Sequence, residues 1–325
     1  MYINPDLKAF VEQMLESMAG APAPCEPPTL DQRRAMFDGL MEQLGNPPRP
    51  VHGQREIQVP GPDGAVRTLV ITPRETTEPL PIIVYYHSGG TVMLSPEAEL
   101  PVLTAMAVEA DCVVVAPAYG LAPENPFPGP LEDSYAVLIW AQEHAAQLGG
   151  DPDRVAIAGS SGGGYLAAAC CLEAKRLGTP QPVHQFLLVP MIDQAGRSRS
   201  WVLYDWFAGP LGPMAADLDE KGFVYQLAFG EQRRDPRASV VLAADHSDLA
   251  PALIVTCELD PLHDEGCAYV AKLRQAGVAV MHVDYDGATH AFPFMGAVAD
   301  HSNMILSQVF GTMRYVFSRK HWTGS

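Results

Sequence analysis

Residues 153–164 read Asp-Arg-Val-Ala-Ile-Ala-Gly-Ser-Ser-Gly-Gly-Gly and continue as Tyr165-Leu-Ala-Ala-Ala-Cys170. An apolar run enters Gly159-Ser160-Ser161-Gly162-Gly163, and a helical pattern leaves it at once. This is G-x-S-x-G in a strand–turn–helix setting, the pattern of a nucleophilic serine. The chemistry needs the glycines. A sharp, strained turn makes Ser161 Oγ project, and the residues around it must be small where helix and strand nearly touch. The N–H of Gly162 would then face a developing oxyanion, aided by the positive end of the following helix. A phosphate-binding turn would need G-x-G-x-x-G or a Walker lysine, and neither is present. Ser160 is the rival nucleophile, but choosing it would leave Ala158 at the first small position.

A second apolar run, 81–87, ends in His87-Ser88-Gly89-Gly90-Thr91. With it go Tyr119-Gly-Leu-Ala-Pro-Glu124, Phe127-Pro128, Glu132-Asp133, Asp260-Pro-Leu-His-Asp-Glu-Gly266 and Asp286-Gly-Ala-Thr-His-Ala-Phe292. In this order, over most of 55–315, the chain resembles the hormone-sensitive-lipase-like family of carboxylesterases. The resemblance implies an α/β-hydrolase fold and a serine carboxylesterase acting on a small ester through an acyl-enzyme, with no cofactor. It places the nucleophile on Ser161, the acid on Asp260 and the base on His290. The oxyanion donors fall on the backbone N–H groups of Gly89, Gly90 and Gly162. The order Ser, Asp, His suits such a fold, and a base needs a carboxylate to fix its tautomer. Asp260 and His290 also lie just past the ends of buried apolar runs, where open sheets place their sites. His87 reads as a support for the loop rather than a second base.

Three positions depart from the family pattern. Ser88 replaces the first loop glycine, Ser160 replaces the aspartate before the nucleophile, and Gly120 replaces an arginine. Ser88 adds a hydroxyl and a Cβ; the other two remove charged groups. These changes keep a second reading open, a dehydratase or cyclase using the same site in a natural-product pathway. A third reading, a non-catalytic small-molecule receptor, usually goes with loss of a triad member, and all three are here. His263 and Asp264 suggest a metal, but no second ligand pair has metal-like spacing, so none is expected.

The elements that must hold these residues are legible as alternation. Extended runs fall at 55–59 and 66–72, and apolar runs at 81–87, 112–116, 155–158, 185–189, 252–256 and 278–284. The first two flank the turn signal Gly61-Pro-Asp-Gly64. Helical patterns fall at about 97–110, 130–148, 162–177, 264–276 and 300–318. Buried strands alternating with helices make an α/β class protein with a mostly parallel sheet covered on both faces. Two amphipathic helices come first, with stripes Phe10, Val11, Met14, Leu15, Met18 and Met36, Leu40, Met41, Leu44, separated by a Pro-rich stretch. They are expected to form a cap over 1–50, ahead of a catalytic domain over 51–325. An aromatic-rich insertion at about 192–235 (Trp201, Tyr204, Trp206, Phe207, Phe223, Tyr225, Phe229) reads equally as a lid or as core-facing helix.

Composition narrows the partners. With 325 residues, 47% of them hydrophobic, the chain buries a full core. A formal net charge of -17 repels nucleic acid and anionic membranes. No run approaches the roughly 18 apolar residues of a spanning helix. The acidic and polar residues among the first twenty leave no signal-peptide pattern. None of the six cysteines has C-x-x-C spacing, and Cys112 and Cys257 read as small hydrophobes in strands. A cytoplasmic protein with a small-molecule ester as partner is expected. Its oligomeric state is open, a homodimer included.

Overall fold

The extended and apolar runs become eight strands of one sheet, in the order β1-β2-β4-β3-β5-β6-β7-β8, in a computed structural model that describes residues 2–18, 28–196, 198–204 and 222–319. The strands are β1 (Gly53–Gly61), β2 (Gly64–Thr72), β3 (Leu80–Tyr86), β4 (Val113–Pro117), β5 (Gly150–Ser160), β6 (Gln185–Leu188), β7 (Ala252–Leu259) and β8 (Val280–Thr289). β1 and β2 form a hairpin across the Gly61–Gly64 turn, β2 runs antiparallel to β4, and every later pairing is parallel. The α/β-hydrolase fold expected from the sequence is therefore present.

Helices fill the crossovers. After α1 (Pro5–Met18) and α2 (Leu30–Leu44) come α3 (Leu100–Ala110), α4 (Gly129–Glu143), α5 (Gly162–Leu177), α6 (Arg199–Tyr204), α7 (Gly222–Phe229), α8 (His263–Gln275) and α9 (Asp300–Ser318). Helix α3 packs on α9, and α4 packs on α5. All residues of β3, β4 and β6 are buried, as in strands covered on both faces. Each fully buried Val, Ile or Leu there contributes about 1.5–3 kcal/mol relative to exposure. Two expected helices are shorter than their patterns. Residues 97–99 form turns before α3, and α4 gives way to a 3-10 turn over Ala145–Leu148, closed by Gly149 at φ 73°.

The first two helices dock on this frame. Thr29 and Gln32 form a reciprocal capping box at the start of α2, a feature worth about 1 kcal/mol. The buried residues of α2 are Arg33, Met41 and Leu44, with Phe37 and Leu40 partly buried beside them, so Met36 flanks the stripe and stays exposed. That corrects the expected stripe by one residue. Arg34 grips Glu124 with two hydrogen bonds of 2.8 Å. It also donates to the carbonyls of Val92 and Ala122, both at 2.9 Å. Of α1, Leu7 packs with Leu44, Met295 and Ala299; the side chains of Val11, Met14, Leu15 and Met18 lie outside the described residues, as does Cys25.

The described part of the aromatic insertion faces inward. Phe229 meets Tyr165 edge-on at 5.4 Å, and Tyr225 meets Trp201 at 5.7 Å. Residues 205–221, with Trp206, Phe207 and the Gly-Pro pairs, lie outside the described residues, as do the side chains of Tyr204 and Phe223. Cys112 and Cys257 are fully buried in strand-flanking and strand positions as small hydrophobes. No helix among the described residues is long and apolar enough to cross a membrane.

Candidate active site

Strand β5 delivers Ser161 to the turn before α5, and the backbone there is strained. Ser161 has φ 55° and ψ −116°, a conformation costly for a residue with a Cβ. What holds it is close packing on both sides. A Cβ on Gly163 would collide with the carbonyl oxygen of Tyr86, and one on Gly159 with that of Gly163. Strand and helix therefore touch at backbone distance, and the Ser161 side chain is turned outward. Ser160 sits one residue earlier in β5, paired with Leu188, fully buried, its hydroxyl without a partner among the described residues. The rival nucleophile faces the core.

Two further side chains meet Ser161 from distant parts of the chain. His290, just beyond β8, places Nε2 2.9 Å from Ser161 Oγ. Its Nδ1 lies 3.0 Å from each carboxylate oxygen of Asp260, which follows β7. Asp260 is fully buried, and one oxygen also accepts the Leu262 N–H at 2.8 Å. Burial pulls His290 toward the neutral form, but the charge of Asp260 and its hydrogen bond outweigh this, raising its pKa above 6.5. Hydroxyl, imidazole and carboxylate form one hydrogen-bonded chain, able to move a proton off Ser161 and back.

The loop after β3 supplies donors. Gly89 and Gly90 have φ 96° and 64°, conformations open to glycine. Among the described residues their N–H groups have no acceptor, and Gly162, first in α5, has no carbonyl one turn back. The loop and the serine turn touch: a Cβ on Gly162 would come within 2.8 Å of both N and Cα of Gly90. Val224 of α7 lies over Gly90 from the other side. The loop that carries Gly89 and Gly90 thus abuts the turn that carries Ser161, and its unspent N–H groups, with that of Gly162, suit the stabilisation of an oxyanion.

The remaining residues singled out in the sequence have other surroundings. His87 stacks on Tyr119 at 4.1 Å and bonds the Ser88 carbonyl at 2.8 Å; burial lowers its pKa to about 4, so it stays neutral. Gly120 donates its N–H to Asp133 at 2.9 Å, and the Asn125 side chain occupies the space a Cβ would need. No arginine fits at 120 beside that asparagine. His263 lies outside the site, 3.1 Å from Asp284 and 3.2 Å from Asp264. Bonds from Asp284 and Cys267 raise its pKa to about 11 against burial. Among the described residues no set of three His, Cys, Asp or Glu side chains is arranged to hold a metal.

Two residues that matter to the site carry no signal in the sequence alone. One is Arg34, described above. The other is Glu99, 1% exposed, which accepts from Ser88 N–H at 2.7 Å, Ser88 Oγ at 2.5 Å and Tyr85 OH at 2.7 Å. The serine that departs from the family's glycine is thus tied to a buried carboxyl. In the sequence Glu99 is one acid among several, with nothing local to single it out.

A family profile described as an alpha/beta hydrolase fold matches residues 83–294, from inside β3 to just beyond His290. The chain belongs to the hormone-sensitive-lipase-like family of α/β hydrolases. The chain is similar to the carboxylic ester hydrolase LipN of Mycobacterium tuberculosis, 36% identical over 242 residues, 73% of this chain and 63% of LipN. The ethyl acetate hydrolase of Pseudomonas putida is 30% identical over 309 residues, 93% of this chain and 96% of that one. Among solved structures, an ester hydrolase from the metagenome of Lake Arreo, bound to a bipyridine phosphonate derivative, superposes with TM-score 0.90. It is 27% identical, over 98% of this chain and 100% of that one.

Proposed function

We propose that this α/β hydrolase cleaves a small carboxylic ester with Ser161 as nucleophile. It is a carboxylic ester hydrolase, as its esterase relatives are named. The observation that carries the assignment of roles is the unbroken chain Ser161 Oγ to His290 Nε2 at 2.9 Å and His290 Nδ1 to Asp260 at 3.0 Å, beside free N–H donors. Ser161 attacks the carbonyl carbon while His290 takes its proton, and the tetrahedral oxyanion accepts from Gly89, Gly90 and Gly162. His290 returns the proton to the leaving alcohol. Water, activated by the same imidazole, then releases the acid from acyl-Ser161, and Asp260 stabilises the imidazolium in both halves. No step requires a metal or cofactor.

In this reading α1, α2 and the aromatic insertion cap the site. The contacts of Arg34 with Val92 and Glu124, and of Val224 with Gly90, support it by bringing both segments to the oxyanion loop. Hydrolysis of p-nitrophenyl acetate, butyrate and octanoate tests the function. The expected result is turnover of at least one short ester and a chain-length profile set by the acyl pocket. Failure of the folded protein to hydrolyse any of the three would overturn it.

A further inference from the structure

Ser88 immediately precedes the proposed oxyanion donor Gly89; His87 of its own loop bonds its carbonyl, while its N–H and hydroxyl are held by Glu99, the residue just before α3. Glu99 Oε1 accepts both the N–H and the hydroxyl of Ser88, while Oε2 accepts Tyr85 OH from β3. The carboxyl is buried, so these bonds do not compete with water. We propose that Glu99 is a positioning residue for ester hydrolysis, its carboxylate fixing Ser88 and hence the direction of the Gly89 N–H, and its protonation weakening that hold. The inference rests on the ester-hydrolase reading above.

Hydrogen-bond arithmetic supports it. All three neighbours donate to the carboxylate, and the Ser88 N–H can do nothing else. A protonated carboxyl must itself donate, so one of the two hydroxyls would have to turn round and accept. With the proton on Oε1 the Ser88 hydroxyl must turn and its geometry changes; with the proton on Oε2 Tyr85 turns, and Ser88 keeps its two bonds but to a neutral, weaker acceptor. Small misalignments of an oxyanion donor are expensive in rate.

The group is set to titrate in a useful range. Burial raises Glu99 from 4.5 to about 7, even though the bonds from Ser88 and Tyr85 pull the other way. Among the described residues no cation is paired with it: Ser88 and Tyr85 bond it, and Tyr119 lies within its field on the sheet side. On the other side Glu99 lines a cavity of about 350 Å³ whose charged residues, Arg49 and Glu109, bond each other at 3.1 Å. The charged hold on Ser88 is therefore present well above pH 7 and weakens as pH falls through it. Stability runs oppositely. A raised carboxyl favours folding below 4.5, and that contribution is lost as pH rises through about 7.

These opposite signs give the test. Glu99→Gln removes the buried charge and keeps the shape, so at pH 8 the variant should melt no lower than wild type. Its kcat for p-nitrophenyl butyrate should nonetheless fall about tenfold, with KM within about twofold. The acid limb of kcat should drop with two ionisations in wild type, Glu99 and His290, and with one in Glu99→Gln. Wild-type kcat and an unchanged acid limb in Glu99→Gln would overturn the proposal. If Glu99→Gln does not fold, Ser88→Ala decides: a severalfold loss of kcat at unchanged melting temperature supports it, and unchanged kcat overturns it. An inactive wild type would instead remove the ester-hydrolase reading, and this proposal with it.

Discussion

His290 Nδ1 lies the same distance, 3.0 Å, from both carboxylate oxygens of the fully buried Asp260. The imidazole is gripped symmetrically, and its Nε2 is left to face Ser161. Asp260→Asn keeps the size of the side chain but offers Nδ1 one acceptor and one donor, so the wrong tautomer becomes accessible. The expected loss in kcat is about 10³–10⁴-fold, with KM little changed. Steady-state kinetics on p-nitrophenyl butyrate check this, and a loss below tenfold would contradict the role given to Asp260.

The same pair sets a pH dependence. Burial alone would lower His290, but Asp260 raises it above 6.5, and the base works only when neutral. Activity therefore rises with pH through a value above 6.5. The stability contribution has the opposite sense, being full below the ordinary histidine value and lost as pH rises through the folded one. The check is kcat/KM between pH 5 and 9 in Glu99→Gln, where His290 titrates without Glu99. An acid limb centred below 6.5 in that variant would contradict the assignment.

Most of what positions the site was legible as sequence pattern. The central strands follow from apolar runs, because strands covered on both faces have no polar positions to blur them, while the exposed edge strand β1 follows from the turn signal it shares with β2. Ser161 followed from glycines that only close strand–helix contact requires, and Asp260 and His290 from their places after strands. Arg34 and Glu99 were not legible, since nothing local distinguishes an arginine that reaches Glu124, 90 residues on, from one in solvent. The one-residue error on Met36 has a related cause: buried Arg33 occupies a stripe position that hydrophobicity alone assigns elsewhere.

The glycines of the serine turn should be intolerant. In Gly163→Ala the new methyl meets the Tyr86 carbonyl oxygen, which is fixed in β3 and cannot withdraw. Overpacking against backbone should cost about 1–3 kcal/mol or more. A urea melt measures it, and an unchanged midpoint would mean that helix and strand are further apart than described.

Arg34 should act as the pin of α2. Arg34→Ala removes two bonds to Glu124 and two to the carbonyls of Val92 and Ala122. Amide exchange across Leu30–Leu44 should speed up about tenfold, equivalent to 1.4 kcal/mol, while β3 keeps its protection. Equal acceleration in both would point to global destabilisation, and none in α2 would remove Arg34 from the cap account.

The central claim is that Ser161, and not its neighbour Ser160, forms the covalent intermediate. Intact-mass spectrometry after treatment with diethyl p-nitrophenyl phosphate reads this directly, since such reagents phosphorylate an activated serine. The account predicts one diethylphosphoryl adduct per chain, mapped to Ser161, absent in Ser161→Ala and retained in Ser160→Ala. An adduct on Ser160, or one that persists in Ser161→Ala, would contradict it.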